Sequence, residues 1–152
     1  MSCVRISSMI EVKIKKLEEQ AVLPQYASVG DAGMDLFSLE EVFVENGKRA
    51  KIKTGIAMEI PHDYVGFIWD KSSIGINNGL KTLGGVVDSG YRGEVLVGIV
   101  NLSSEDFKVE KGQKIAQMII QKKEEVEIKE VLELNDSERG ENGFGSSGKY
   151  TK

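Results

Sequence analysis

Gly84-Gly85-Val86-Val87-Asp88-Ser89-Gly90-Tyr91-Arg92-Gly93-Glu94-Val95 is the stretch that sets how the rest of the chain reads. Two β-branched residues run into an aspartate, and a Ser-Gly turn follows. An aromatic, an arginine and a second glycine then precede the return of apolar alternation. Turn residues between two such runs predict a β-hairpin, because glycine takes positive φ without steric cost. The hairpin holds one carboxylate, Asp88, and one large ring, Tyr91, three positions apart on a stiff ribbon. That placement suits a pocket for a flat, polar ligand. It equally suits a surface hairpin whose aspartate only satisfies turn amides, and this stretch alone does not separate the two.

The same texture continues on both sides of it. Ile10–Leu17 alternates Ile10, Val12 and Ile14 with Glu11, Lys13 and Lys15, the pattern of a half-buried antiparallel strand. Pro24 to Met34 reads as loop. Further strand-like runs are Leu36–Phe37, Val42–Val44, Ala50–Ile60, Tyr64–Trp69, Lys81–Val87, Val95–Leu102, Lys114–Gln121 and Val126–Leu132. Many short strands parted by turn residues, with no sustained 3.6-residue period, predict an all-β sandwich, jelly roll or barrel. One short helix fits around Ser72–Asn77, with Ser72 or Ser73 as its cap and Asn78-Gly79 as its stop. Residues 9–134 form the expected core domain and residues 1–8 an extension, with Met9 an equally good natural start.

From Asn135 the chain turns polar and glycine-rich, with Phe144 as its one aromatic before Gly148. Residues 135–152 are therefore expected to be a flexible tail. Gly143-Phe144-Gly145-Ser146-Ser147-Gly148 fits the GxGxxG pattern, but no buried parallel strand precedes it and no helix follows. What remains of that pattern is backbone N–H groups free to converge on an anion, with Ser146 and Ser147 adding hydroxyls.

Composition narrows the chemistry. The chain has 152 residues, is 40% hydrophobic and 29% charged, and carries a net charge of −4. That size fits one domain with a proper core. Mixed charges of net negative sign argue against a nucleic-acid partner. One cysteine, Cys3, and one histidine, His62, leave no disulfide framework, no Cys/His zinc site and no Cys–His nucleophile. A hard cation would need oxygen ligands, which points to magnesium. No apolar run reaches membrane-spanning length, and Met1–Ser8 lacks the apolar core of a signal peptide, so a cytoplasmic location is expected. The sequons at Asn101 and Asn135 would then stay bare.

Five short stretches stand out in order: Ala32-Gly33-Met34-Asp35-Leu36-Phe37-Ser38; Asp70-Lys71-Ser72-Ser73-Ile74-Gly75; Gly85 to Gly93; Lys111 to Met118; and Arg139 to Gly148. Together they resemble the five motifs of the homotrimeric dUTP pyrophosphatase (dUTPase) family, over about Ile10 to Gly148. The resemblance implies a distorted β-barrel or jelly roll and hydrolysis of dUTP to dUMP and pyrophosphate. Such activity limits uracil incorporation into DNA and supplies dUMP for dTTP synthesis. It also implies a magnesium ion held by the three phosphates, and active sites shared among three subunits.

Carried over by position, Asp88 matches the aspartate that activates the attacking water. Tyr91 matches the ring under the deoxyribose, which leaves no room for a 2′-hydroxyl. Gly85 and Val86 fall where hairpin backbone pairs with the uracil edge. Asp35 matches the aspartate that reaches the metal through water. Ser72 matches a phosphate-binding serine, and Gln117 a glutamine near the α-phosphate. Arg139 with Gly145, Ser146 and Ser147 matches the γ-phosphate clamp, and Phe144 the ring that closes over uracil. Elementary chemistry agrees: water attack on phosphorus needs a positioned base more than a covalent nucleophile, and a glycine-rich tail with one aromatic suits a lid.

Two positions depart from the family pattern. Lys71-Ser72-Ser73 stands where Arg-Ser-Gly is usual, so the charge is kept but the bidentate fork is lost, and Ser73 adds a side chain. The Ser-Ser pair is also similar to that of the dCTP deaminases of the same fold. Those enzymes resemble Pro-Gly-Trp after the hairpin acid, where this chain has Ser89-Gly90-Tyr91, and they lack the Arg139–Ser147 tail. A non-catalytic nucleotide sensor on this fold is the other alternative, in which the base at Asp88 has no task. Blander roles also exist: loop-amide bonding for Asp35, core-edge packing for Gln117, support of its own hairpin for Arg92, core for Trp69 and a solvated loop for His62.

Overall fold

The computed structural model describes residues 9–142. Phe144, Gly145, Ser146 and Ser147 lie outside them. Ten strands and one helix follow in order: β1 Lys13–Lys16, β2 Met34–Phe37, β3 Val42–Val44, β4 Arg49–Glu59, β5 Tyr64–Asp70, α1 Ser72–Asn78, β6 Leu80–Leu83, β7 Val86–Val87, β8 Glu94–Asn101, β9 Phe107–Val109 and β10 Lys114–Lys122. They form a sheet of order β1-β4-β8-β6, a second of order β2-β10-β5-β7, and a β3-β9 ribbon. Every strand pairing is antiparallel. The all-β expectation holds, as open sheets rather than a closed barrel.

Alternation explains the core. In β8, Val95, Val97, Ile99 and Asn101 point inward while Leu96 faces out. Val95, Val97 and Ile99 meet Ile52 and Ile56 of β4, Leu36 of β2, and Ile115 and Met118 of β10 in one apolar cluster. Full burial of each such aliphatic side chain contributes about 1.5–3 kcal/mol. Asn101 is the polar exception and is fully satisfied. Its amide donates to the carbonyls of Val44 (2.9 Å) and Glu105 (2.8 Å), and its oxygen accepts from Ser103 N–H (2.9 Å). A sequon asparagine used in this way is structural.

The first sheet is irregular where β4 runs along β8. β4 carries a register shift between Lys53 and Ala57, where Gly55 sits at φ 69° with its N–H on Glu94 Oε1 at 2.9 Å. A Cβ there would run into Leu39 and Ala21. Helix α1 ends as expected, with Gly79 left-handed at φ 70° and its N–H bonded to the carbonyl of Gly75.

Several expectations need correction. The Gly84–Val95 stretch is not a hairpin of two paired arms. Val86–Val87 pairs with β5, whereas β8 runs to β4 and β6 in the other sheet. The predicted strand Lys81–Val87 is therefore two strands, broken at Gly84 with φ 62°. β9 is a strand with little sequence pattern, since it is only three residues centred on Lys108. Val126–Leu132 forms no strand, and its side chains Val126, Ile128 and Leu132 stand exposed. Ser72 and Ser73 are inside α1, whose N-cap is Lys71 with no side-chain capping bond. Trp69 is 52% exposed rather than core. The strand Ile10–Leu17 shrinks to Lys13–Lys16.

Candidate functional site

The turn after β7 is held from within. Tyr91 N–H donates to the Asp88 carbonyl at 3.0 Å, closing a four-residue turn. The Tyr91 hydroxyl donates to the Glu94 carbonyl at 2.9 Å. Arg92 Nη1 donates to the carbonyls of Ser89 (2.6 Å) and Tyr91 (2.9 Å). Arg92 thus braces its own turn, through carbonyls and not through a carboxylate. The Asp88 side chain is exposed, and the Tyr91 ring is half-exposed. With Val86, Val87, Ile68 and Glu94 they line a hollow of about 200 Å³. Gly85 makes this possible on the strand side: its carbonyl accepts from Ile68 N–H at 2.7 Å, and a Cβ on it would overlap the Ile68 carbonyl oxygen.

A second hollow, of about 610 Å³, opens where β5 meets α1 and is lined by Trp69, Asp70, Ser72, Ile76, Lys81 and Gln117. Ser72 and Ser73 are exposed at the start of α1. Gln117 Nε2 donates to the Asp70 carbonyl at 2.9 Å, tying β10 to the end of β5. A Cβ on Gly33 would come within 2.8 Å of Gln117 Oε1, so that glycine lets the first motif lie against the fourth.

Across the β2–β10 pairing from Gln117 lies a charged knot. Asp35 is buried, with Lys71 Nζ donating to Oδ1 at 2.7 Å. Lys114 Nζ stands 2.7 Å from Oδ2 as an ion pair whose angle is poor for a hydrogen bond, and Oδ2 has no hydrogen-bond partner. Burial by itself pushes the Asp35 carboxyl up; the ammonium groups of Lys114 and Lys71 outweigh it and hold the group below its usual range. Two ammonium groups on one carboxylate leave the knot with net positive charge. Loop amides play no part in it.

Asp70 is a similar case. Its carboxylate accepts from Thr82 N–H and the Thr82 hydroxyl, both at 2.7 Å, and from Lys81 Nζ. Burial opposes ionisation, but the Lys81 and Thr82 bonds prevail and lower its pKa.

The chain thus brings Asp35, Lys71 and Gln117 together beside Ser72 and Ser73, and separately groups Gly85, Val86, Asp88 and Tyr91. The two hollows share no lining residue, but a third of about 240 Å³ adjoins both, sharing Trp69 and Lys81 with one and Ile68 and Val86 with the other. Arg139 joins neither; its Nε donates to the Asn142 carbonyl at 2.8 Å within its own exposed turn. His62 is exposed beside Asp63 and Glu125. Sequence reading gave no task to Lys114 or Asp70, although both lie in stretches it singled out. Their partners are distant in sequence, so no local pattern marks them.

A sequence profile described as dUTPase matches residues 19–148. The deoxyuridine 5'-triphosphate nucleotidohydrolase of Clostridium kluyveri is 47% identical over 141 residues, covering 91% of this chain and 99% of that protein. Its counterpart in Clostridium tetani is 48% identical over 140 residues, covering 91% and 97%. A mutant dUTPase of Staphylococcus bacteriophage 80alpha, solved with dUpNHpp, superposes with a TM-score of 0.86 at 32% identity, covering 91% and 98%. A mutant dUTPase from phage phi11 of S. aureus, solved with a structural Mg(II) ion, gives a TM-score of 0.75 at 28% identity, covering 81% and 97%. Likeness of this extent places the chain among all-β nucleotidohydrolases. Within that class, it belongs to the dUTPase family.

Proposed function

We propose that this chain hydrolyses dUTP to dUMP and pyrophosphate, with Asp88 activating the water. The observation that carries the reading is the braced Asp88–Tyr91 turn, which carries an exposed carboxylate and a half-exposed ring three positions apart in a family of dUTP hydrolases. The water oxygen bonds to the α-phosphorus while the bridge to the β-phosphate breaks. Asp88 takes the water proton, and the electron pair leaves with pyrophosphate. Tyr91 excludes a 2′-hydroxyl, and backbone at Gly85 and Val86 reads the uracil edge. Lys71, Ser72, Ser73 and Gln117 receive the phosphate chain. Arg139 with Phe144, Gly145, Ser146 and Ser147 forms the closing segment over it, within a lid of residues 135–152.

Magnesium fits this site only as an ion carried by the nucleotide. Among the described residues no group of three His, Cys, Asp or Glu side chains is placed to cage one. Asp35 Oδ2, without a hydrogen-bond partner, suits a contact through water once Lys114 moves aside. Bound there, the ion spreads the triphosphate's negative charge. The phi11 relative supports the metal, and the 80alpha relative with dUpNHpp supports the nucleotide.

The site is read as shared among three copies of the chain. The acid and the phosphate-facing segment occupy separate hollows, and Arg139 reaches neither. Residues 126–134 also expose Val126, Ile128, Leu132 and Leu134, an apolar arm that a partner would cover. No helix among the described residues is long and apolar enough to cross a membrane. The reading places the enzyme in the cytoplasm, removing dUTP before it reaches DNA and supplying dUMP.

Pyrophosphate release from dUTP with magnesium, run beside dCTP, dTTP and UTP, tests the function. Fast release from dUTP alone is expected. Ammonia from dCTP, or silence on all four nucleotides, would overturn it.

A further inference from the structure

We propose that Asp70 is a positioning residue that holds the phosphate-facing segment Lys71-Ser72-Ser73 in place, by tying the end of β5 to Lys81 and Thr82 of the opposite sheet. The inference rests on the reading of Ser72 as a phosphate contact.

Asp70 is the last residue of β5, and the helix carrying Ser72 and Ser73 begins two positions later. α1 has only seven residues and no side-chain cap at its start, so its own hydrogen bonds fix its position weakly. Ile74 anchors the helix in the core and Lys71 pairs with Asp35, while Asp70 ties down the strand end that leads into it. The carboxylate takes both polar groups of Thr82 at 2.7 Å and the Lys81 ammonium, while its main-chain carbonyl takes Gln117 Nε2 at 2.9 Å. β5 belongs to the β2-β10-β5-β7 sheet and β6 to the β1-β4-β8-β6 sheet. One residue therefore links three strands and two sheets at the corner from which Lys71 and Ser72 project. Gln117, itself expected near the phosphates, leans on the same residue. Displacement of a substrate-positioning group by about 1 Å costs up to about a hundredfold in rate.

The predicted effect is selective for the phosphates. Asp70→Asn keeps an acceptor for Thr82 but loses the ion pair with Lys81. It is expected to lower kcat/KM for dUTP by about tenfold to a hundredfold. The inhibition constant of deoxyuridine, which has no phosphate, should change less than about twofold. Lys81→Met is milder and keeps the Thr82 bonds; it should lower kcat/KM several-fold with deoxyuridine again unmoved. The double variant should fall short of the product of the two single effects, since both break one interaction. Equal losses for dUTP and deoxyuridine would make Asp70 a fold residue and overturn the proposal. So would a lower melting temperature with kcat/KM unchanged. Ser72→Ala separates the layers. If Ser72→Ala lowers dUTP turnover but Asp70→Asn and Lys81→Met do not, this inference alone fails. If Ser72→Ala has no effect, the phosphate reading beneath it fails. Should Asp70→Asn not fold, Thr82→Val, which removes one bond to Asp70 from a side chain outside the larger hollow, decides by the same two readouts.

Discussion

The Tyr91 hydroxyl donates to the Glu94 carbonyl at 2.9 Å, and the ring lies so close over Gly93 that a Cβ on that glycine would overlap the hydroxyl oxygen. The bare glycine is what lets the ring lie down against its own turn. Gly93→Ala must tilt the ring or break the Glu94 bond. Since Tyr91 is read as the barrier to a 2′-hydroxyl, the variant should hydrolyse dUTP about tenfold more slowly and narrow the gap between dUTP and UTP. Steady-state kinetics on both nucleotides checks this. An unchanged dUTP/UTP ratio would remove Tyr91 from the specificity argument.

Asp88→Asn tests the base directly. The side chain is exposed and its turn is closed by backbone, so the substitution leaves the local fold intact. General-base catalysis is worth about a hundredfold to ten-thousandfold, and kcat should fall by that much. Affinity for dUpNHpp, measured by calorimetry, should survive. If turnover persists, water activation belongs to another group.

The Asp35 knot gives stability a defined pH dependence. Its folded-state pKa lies below the ordinary value of 3.8, because the two lysine ammonium groups outweigh burial. A depressed carboxyl contributes stability that is fully present above its unfolded value and is lost as pH falls through the folded one. Asp70 is shifted the same way and titrates in the same window, so the whole-protein curve mixes the two. The difference between wild type and Asp35→Asn isolates Asp35. That difference in melting temperature should be constant near neutral pH and shrink only below about pH 4. A difference that already fades near neutrality would contradict the lysine-held carboxylate.

Where the sequence reading succeeded and failed has a physical pattern. β8 was legible because Val95, Val97 and Ile99 alternate against a single buried face. α1 was legible at its end, where Gly79 supplies the left-handed residue, but not at its start, where two serines imitated a cap they do not provide. Val126-Glu127-Ile128-Lys129 has a genuine period of two, yet a strand needs a paired neighbour, and among the described residues no strand pairs with it. The Gly84–Val95 turn was recognised, while the separate partners of its two arms were not, because the Gly85–Ile68 bond spans two segments. For the same reason the family motifs located Asp35 and Lys71 but not the 2.7 Å pair between them, and left Lys114 and Asp70 without a task. Local pattern marks turns and faces; long-range polar bonds leave no mark on it.

Sharing of one site among subunits makes a prediction that no single-chain mechanism makes. Asp88 sits in the smaller hollow, and Arg139 sits in neither hollow. If Asp88 of one copy works with Arg139 of another, Asp88→Asn and Arg139→Ala chains should each be nearly inactive as pure assemblies. Assembled together, they should recover activity, because some sites then receive an intact Asp88 from one chain and an intact Arg139 from the other. With random mixing in a trimer, recovery should reach roughly a quarter of wild type, the chance that both contributing chains are intact at the required positions. Sedimentation of the mixed sample should show one species of three chains. Activity no greater than the sum of the pure variants, in a sample shown to contain mixed trimers, would mean that each chain completes its own site.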